Sequence, residues 1–166
     1  MIRFLRILSA LLGRSSLRDS QRHQYISPTG SVARFVFEKR KFFADGHPKP
    51  HVFEPMKNKQ TGVFETSVCG LNEMAHERLW FIGAHIRDKP ALAAVEIAVA
   101  EVNRAGLCCE PDPCTAPIDF PEHGLILGWH ESEKSRRIEK MQSLAAACKA
   151  THRPSSSCDD VDLPDV

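Results

Sequence analysis

Two histidines bracket a short apolar run, His123-Gly-Leu-Ile-Leu-Gly-Trp129-His130. An imidazole titrates near neutral pH, so it can take up and return a proton under ordinary conditions. If the run is a buried strand, its ends are where a pocket can open beside a sheet. Glu65, Ser67 and Asp119 are the polar residues that can act with such a histidine. In that arrangement His123 or His130 activates a water molecule, and a carboxylate, Glu65 first, orients the ring. The chemistry would be that of a small hydrolase or nuclease. The competing reading is that both histidines are ordinary strand-end residues, because residue type does not assign a catalytic role until geometry does.

A metal site is the second constellation. Cys108, Cys109, Cys114, His123 and His130 lie in one short region, and zinc takes such ligands. The spacing argues against it: no CxxC is present, and two adjacent cysteines in a strand face opposite sides. No metal is therefore expected. His47 and His51, in Asp45-Gly-His-Pro-Lys-Pro-His51, read as a stiff exposed turn. Ser67-Val-Cys69 stands at a strand-to-helix junction but lacks the glycines of a nucleophile elbow, and Cys69 reads as a small buried thiol. With no Gly-rich phosphate loop and no HExxH, the sequence calls for no cofactor. The leading reading is a non-enzymatic interaction or accessory module with another protein as its partner, and the histidine-dependent enzyme is the alternative.

Composition bounds these readings. A chain of 166 residues with 42% hydrophobic content supports one domain with a real core. Net charge is +1, yet residues 1–60 carry twelve Lys/Arg against four Asp/Glu, and residues 61–166 carry ten against seventeen. Opposed halves can attract each other within one fold, so the basic half does not by itself imply nucleic acid. Six cysteines without the spacing of a secreted scaffold suit a reducing, cytoplasmic setting.

The elements that must position these residues follow from periodicity. Leu71 to Leu107 reads as two helices joined by a turn. Leu71, Met74, Ala75, Leu79 and Ile82 share one side of the first, while Leu92, Val95, Val99 and Val102 recur at helical spacing in the second. Asp88 and Pro90 suit its start, and Gly106 its end. Ile97 falls off that stripe. Upstream, Ala33–Glu38, His51–Glu54 and Val63–Val68 read as strands, with Phe35 and Phe37 on one face and Val36 on the other. Downstream, Leu107–Glu110 and Gly124–Trp129 read as strands. A last helix starts near Ser132, with Ile138, Met141, Leu144, Ala145 and Cys148 inward.

The expected fold is α+β, a small antiparallel sheet in the order β-β-β-α-α-β-β-α, with helices packed mainly on one face. It occupies residues 29–150, between a flexible basic extension (1–28) and a disordered acidic tail (151–166). Residues 1–14, with Arg3 and Arg6 flanking an apolar run too short to span a bilayer, offer a membrane-peripheral or export alternative.

Overall fold

Strand β1 (Ser31–Val36) is the spine of the molecule. The computed structural model describes residues 24–154. The membrane reading of residues 1–14, most of the basic extension and most of the acidic tail fall outside that range. Along one edge β1 pairs antiparallel with β4 (Ala93–Ala98) over its whole length, from Ser31↔Ala98 to Val36↔Ala93. Along the other edge it meets β3 (Phe64–Gly70) only at Val32↔Gly70 and Ala33↔Cys69. Beyond β3 lie β6 (His123–Leu127) and β5 (Cys108–Pro111), and beyond β4 lies β7 (Lys149–His152). The short β2 (Met56–Lys57) pairs with the far end of β3, opposite Glu65 and Phe64. All seven strands run antiparallel to their neighbours, so the fold is the expected α+β class with an open antiparallel sheet.

Alternation along the strands divides the core in two. Val32, Val36, Val68, Val95, Ile97 and Ile126 point to one face. There they meet α2 (Val99–Arg104) through Val99 and Val102, α3 (Lys134–Ala147) through Met141 and Leu144, and a 3-10 turn at Pro50–Phe53. Each fully buried Ile, Leu or Phe here contributes about 1.5–3 kcal/mol. Ala33, Phe35, Cys69 and Ala94 point to the other face, under α1 (His76–His85) and Phe120. Gly83 lets α1 settle onto that face, since a Cβ there would stand 2.9 Å from the Phe35 ring. Two of the three helices thus share one face and α1 covers the other.

The second helix expected over 88–106 is mostly strand. Ala93–Ala98 forms β4, near the middle of the sheet, and only Val99–Arg104 is helical before Gly106 (φ 69°) ends it. A strand covered on both faces shows a continuous apolar run instead of alternation, and its Ala and Glu content imitates a helix. Ile97, the residue that fell off the helical stripe, is 1% exposed, whereas Leu92, which belonged to it, is 38% exposed. Helical spacing was real only for Val99 and Val102.

Three further boundaries move. His51–Glu54 is not a strand: Pro50–Phe53 is a 3-10 turn that buries Val52 and Phe53. Residues 24–28 belong to the fold, with Ile26 in the core and the Tyr25 carbonyl accepting from the Asn72 N–H at 3.2 Å. Thr151 and His152, placed in the disordered tail, complete β7 against Ala94 and Ala93. Among the described residues no helix is long and apolar enough to cross a membrane.

Candidate functional site: a basic cleft where two strands part

An uninterrupted β1–β3 ladder would continue from Ala33↔Cys69 to Phe35↔Ser67, and that pair is not made. The strands part, and the Arg34 side chain enters the gap. Its Nη1 donates to the Ser67 carbonyl at 2.6 Å and its Nε to the Val52 carbonyl at 3.4 Å. On the far side β2 closes onto β3, so a wedge is left between β1 and β2. It holds a cleft of about 480 Å³ lined by Arg34, Lys57, Glu65, Ser67, Arg87 and His123, among others. A second lobe of about 300 Å³ adjoins it, and Arg34, Phe35, Met56 and Arg87 line both. These four residues form the waist of one groove.

The waist is cationic and, among the described residues, lacks a counter-ion. Burial, with the charge of Arg87 as a lesser cause, pushes the Arg34 guanidinium down to about 10. Both acceptors of Arg34 are neutral carbonyls. Among the described residues no carboxylate lies within ion-pair distance of Arg34 or Arg87. Arg87 rests on the Phe37 ring, 4.6 Å from its centre. The nearby carboxylates have other partners. Glu38 pairs with Arg40, Glu54 stands 3.8 Å from Lys41, and Glu65 accepts from Asn58 Nδ2 at 3.1 and 3.2 Å. The larger lobe therefore presents four cations, Arg34, Lys57, Lys59 and Arg87, against one carboxylate, Glu65, that is already hydrogen-bonded.

The candidate catalytic residues are partly brought together. His123 and Glu65 line the same lobe, and so does Ser67. Cys69 stands opposite His123 in the β3–β6 ladder. Glu65 is four residues further along β3, about 13 Å at the rise of a strand. The carboxylate that meets His123 is instead that of Asp112. His123 Nδ1 lies 2.6 Å from the Asp112 carbonyl and 3.3 Å from Asp112 Oδ2. Both atoms are acceptors, so Nδ1 carries the proton, and in the neutral ring Nε2 keeps its lone pair. Phe120 packs edge-on against the imidazole at 5.3 Å between ring centres.

His130 is not part of this group. It does not line the cleft, and its carbonyl accepts from Arg137 Nη1 at 2.6 Å. The Asp119 carbonyl accepts from Arg78, which is paired with the buried Glu122 at 2.8 Å. Cys109 packs into the core while Cys108 is exposed, the opposite facing expected of neighbours in a strand. Among the described residues no three His, Cys, Asp or Glu side chains gather to hold a metal ion.

Arg34, Arg87 and Asp112 are the site residues that sequence reasoning passed over. Arg34 did leave a signal. It alternates with Val32 and Val36, so the strand period turns it toward the same face as two core valines. An inward charge within an apolar strand needs partners, and the cleft is where it finds them. Arg87 and Asp112 carry no such mark, since each stands in a loop. No protein-family model, no curated protein and no solved structure matches this chain.

Proposed function

We propose that the chain is an interaction module that receives an anionic group of its partner in the cleft between β1, β2 and β3. One observation carries this reading: Arg34 stands beside Arg87 at the waist of the groove, and among the described residues its acceptors are two neutral carbonyls. Two cations facing one open space repel each other, and a bound anion would relieve that repulsion. Lys57 and Lys59 at the rim would draw the anion in and make capture sensitive to salt. The five described cysteines stand as free thiols, which fits the cytoplasmic setting of such a module.

Fluorescence anisotropy with a labelled Glu-rich peptide and a Gln-rich control tests the reading. The acidic peptide should bind in low salt and release as salt rises. Arg87→Gln should weaken it, because Arg87 is exposed and can be replaced without disturbing the core. Equal binding of both peptides, or binding indifferent to Arg87→Gln, refutes the reading.

A second reading, the small hydrolase, is supported by the contact between His123 and Asp112. With Nδ1 committed to Asp112, Nε2 is the basic atom, and it can take a proton from a water attacking a substrate in the cleft. The same proton then goes to the leaving group. Nitrophenyl ester and phosphate substrates test it. Turnover that survives His123→Ala, or no turnover on any of them, counts against it.

A further inference from the structure

We infer that the waist of the groove seats a phosphate monoester carried on a flat apolar group. This deepens the anion-binding reading and rests on it. Donor number and charge favour phosphate over a carboxylate. A guanidinium has five N–H donors, and Arg34 spends two on Val52 and Ser67. Among the described residues three remain uncommitted, and the guanidinium of Arg87 has no ion-pair partner. A single carboxylate is satisfied by one guanidinium fork. Two guanidinium groups with two lysines at the rim match a dianion with three terminal oxygens.

The Ser67 hydroxyl adds a donor on the β3 side. Ser67 is exposed within the cleft, and two residues along β3 its neighbour Cys69 faces His123 across the ladder. Ser67 and His123 thus stand on one face as diagonal neighbours, at the end of the lobe away from Lys57 and Lys59. The dianion would be met by arginines at the waist, lysines at the rim and a hydroxyl on the floor.

The carrier is read from the apolar residues that line the lobe with these cations. Phe35, Val68, Ile86, Pro117 and Phe120 line the same lobe as Arg34 and Arg87. Apolar lining gives a bare phosphate ion nothing, and the less buried Ile86 and Pro117 offer a ring an edge to lie against. A volume of about 480 Å³ is in the range of small-ligand sites and accommodates an aryl phosphate. Two sources combine a phosphate monoester with a ring: the phosphotyrosine side chain of a peptide, whose ring bears the phosphate directly, and a nucleoside monophosphate, whose base is held one sugar away.

Titration calorimetry on the full chain with phenyl phosphate, inorganic phosphate and benzoate tests the inference. Phenyl phosphate should bind about tenfold or more tightly than either control, since one lost charge-assisted contact or one lost ring contact is about a factor of ten. Arg87→Gln should weaken phenyl phosphate by a similar factor. Arg34→Met should weaken it further, and Arg87→Gln keeps the test decisive if Arg34→Met fails to fold. Phosphotyrosine and adenosine monophosphate then compete against phenyl phosphate. Competition by either supports the seat, and the tighter one names the source. Benzoate binding as well as phenyl phosphate overturns the phosphate seat and leaves the anion reading standing. Inorganic phosphate binding as well as phenyl phosphate overturns the apolar carrier. If no anion shows binding dependent on Arg87, both readings fall.

Discussion

The Nη1 of Arg34 donates to the carbonyl of Ser67 at 2.6 Å, where the backbone of Phe35 would otherwise continue the ladder. A side chain stands in a strand's place at that point, and the groove opens where the ladder ends. Arg34→Met should therefore disturb more than charge. It leaves the Ser67 and Val52 carbonyls without a donor, and a lost hydrogen bond to a charged group costs about 1.5–3 kcal/mol. Part of this is offset because an unpaired cation no longer has to be desolvated. A net destabilisation of about 1–2 kcal/mol is expected from urea unfolding. Arg34→Lys should recover less than half of it, because an ammonium on a linear stem cannot reach both carbonyls as a fork does. If Arg34→Lys matches the parent protein, the guanidinium geometry has no part in holding the strands apart.

The segment before β1 is held by a steric fit as well as by hydrogen bonds. Gly70 ends β3 directly beneath Tyr25 and Ile26, and a Cβ there would collide with the Tyr25 carbonyl and stand 2.7 Å from Ile26 Cγ1. One obstacle is backbone, so a rotamer change cannot make room. Gly70→Ala should lower stability by about 1–3 kcal/mol, the usual cost of overpacking. Hydrogen exchange should show faster exchange at Asn72, whose N–H is bonded to the Tyr25 carbonyl. Unchanged exchange at Asn72 together with an unchanged unfolding midpoint would mean that residues 24–26 are not fixed by this contact.

The same particulars show how far the sequence could be read. Phe35, Phe37 and Val36 marked β1 because a run of aromatic and β-branched residues favours a strand, and their alternation assigned its two faces, although both are buried. Met141 and Leu144 placed α3 correctly, although Ile138, read as inward, is 38% exposed. Ala93–Ala98 failed because burial on both faces erases the alternation that identifies a strand. That error hid the site. With 88–106 read as helix, Arg87 becomes part of a helix-helix turn, and its place beside Arg34 at the end of a strand edge is lost. His123 lines the cleft, and the carboxylate beside it is Asp112, not the Glu65 or Asp119 that the sequence suggested. Asp112 becomes visible only when β5 pairs with β6 and brings the residue after Pro111 opposite His123.

The ion pair of Arg78 and Glu122 ties α1 to the turn before β6, with contacts of 2.8 and 3.0 Å. Glu122 is 4% exposed, so its carboxylate has little water to fall back on. Arg78→Met should strand that charge. Removing one partner of a buried pair costs about 3–5 kcal/mol, and the part-exposed arginine makes about 2–3 kcal/mol the better expectation. Glu122→Gln in the Arg78→Met background should restore part of the loss, because a neutral amide tolerates the site better than an unpaired carboxylate. The idea fails if the double variant is no more stable than Arg78→Met alone.

Arg34 also ties stability to alkaline pH, and the sign is set by the direction of its shift. Its folded value, about 10, lies below the ordinary 12.5, chiefly because burial disfavours the charged form. Between those values the unfolded chain binds more protons than the folded one, so this group's contribution to stability rises with pH. Below about pH 10 the desolvation penalty acts in full; above it, deprotonation in the folded state relieves it. Comparing the parent protein with Arg34→Met cancels the other lysines and arginines, which both proteins share. In urea unfolding from pH 8.5 to about 11, the difference in stability should shift in favour of the parent protein as pH rises. Anion affinity should fall over the same interval as the guanidinium loses its charge. A difference that stays flat, or shifts toward the variant, would place the Arg34 guanidinium in water instead of in the gap between β1 and β3.

Cysteine chemistry provides a check on the core that owes nothing to the cleft. Burial pushes the Cys109 thiol up to about 12 and that of Cys148 up to about 11. Cys69, 0% exposed beneath α1, is driven higher still by burial and by the charge of Glu122. Only the thiolate is alkylated, so both access and ionisation protect these three. Cys108 is exposed and Cys114 partly so, and though burial raises both, neither is enclosed. In native protein at pH 8, iodoacetamide should modify Cys108 first and Cys114 next among the five described cysteines. Cys69, Cys109 and Cys148 should react only as urea approaches the unfolding transition, which peptide-resolved mass spectrometry can follow site by site. Early labelling of Cys109 would place β5 with its other face to the core and reverse the side on which Asp112 approaches His123. Early labelling of Cys69 would mean that α1 does not cover the sheet.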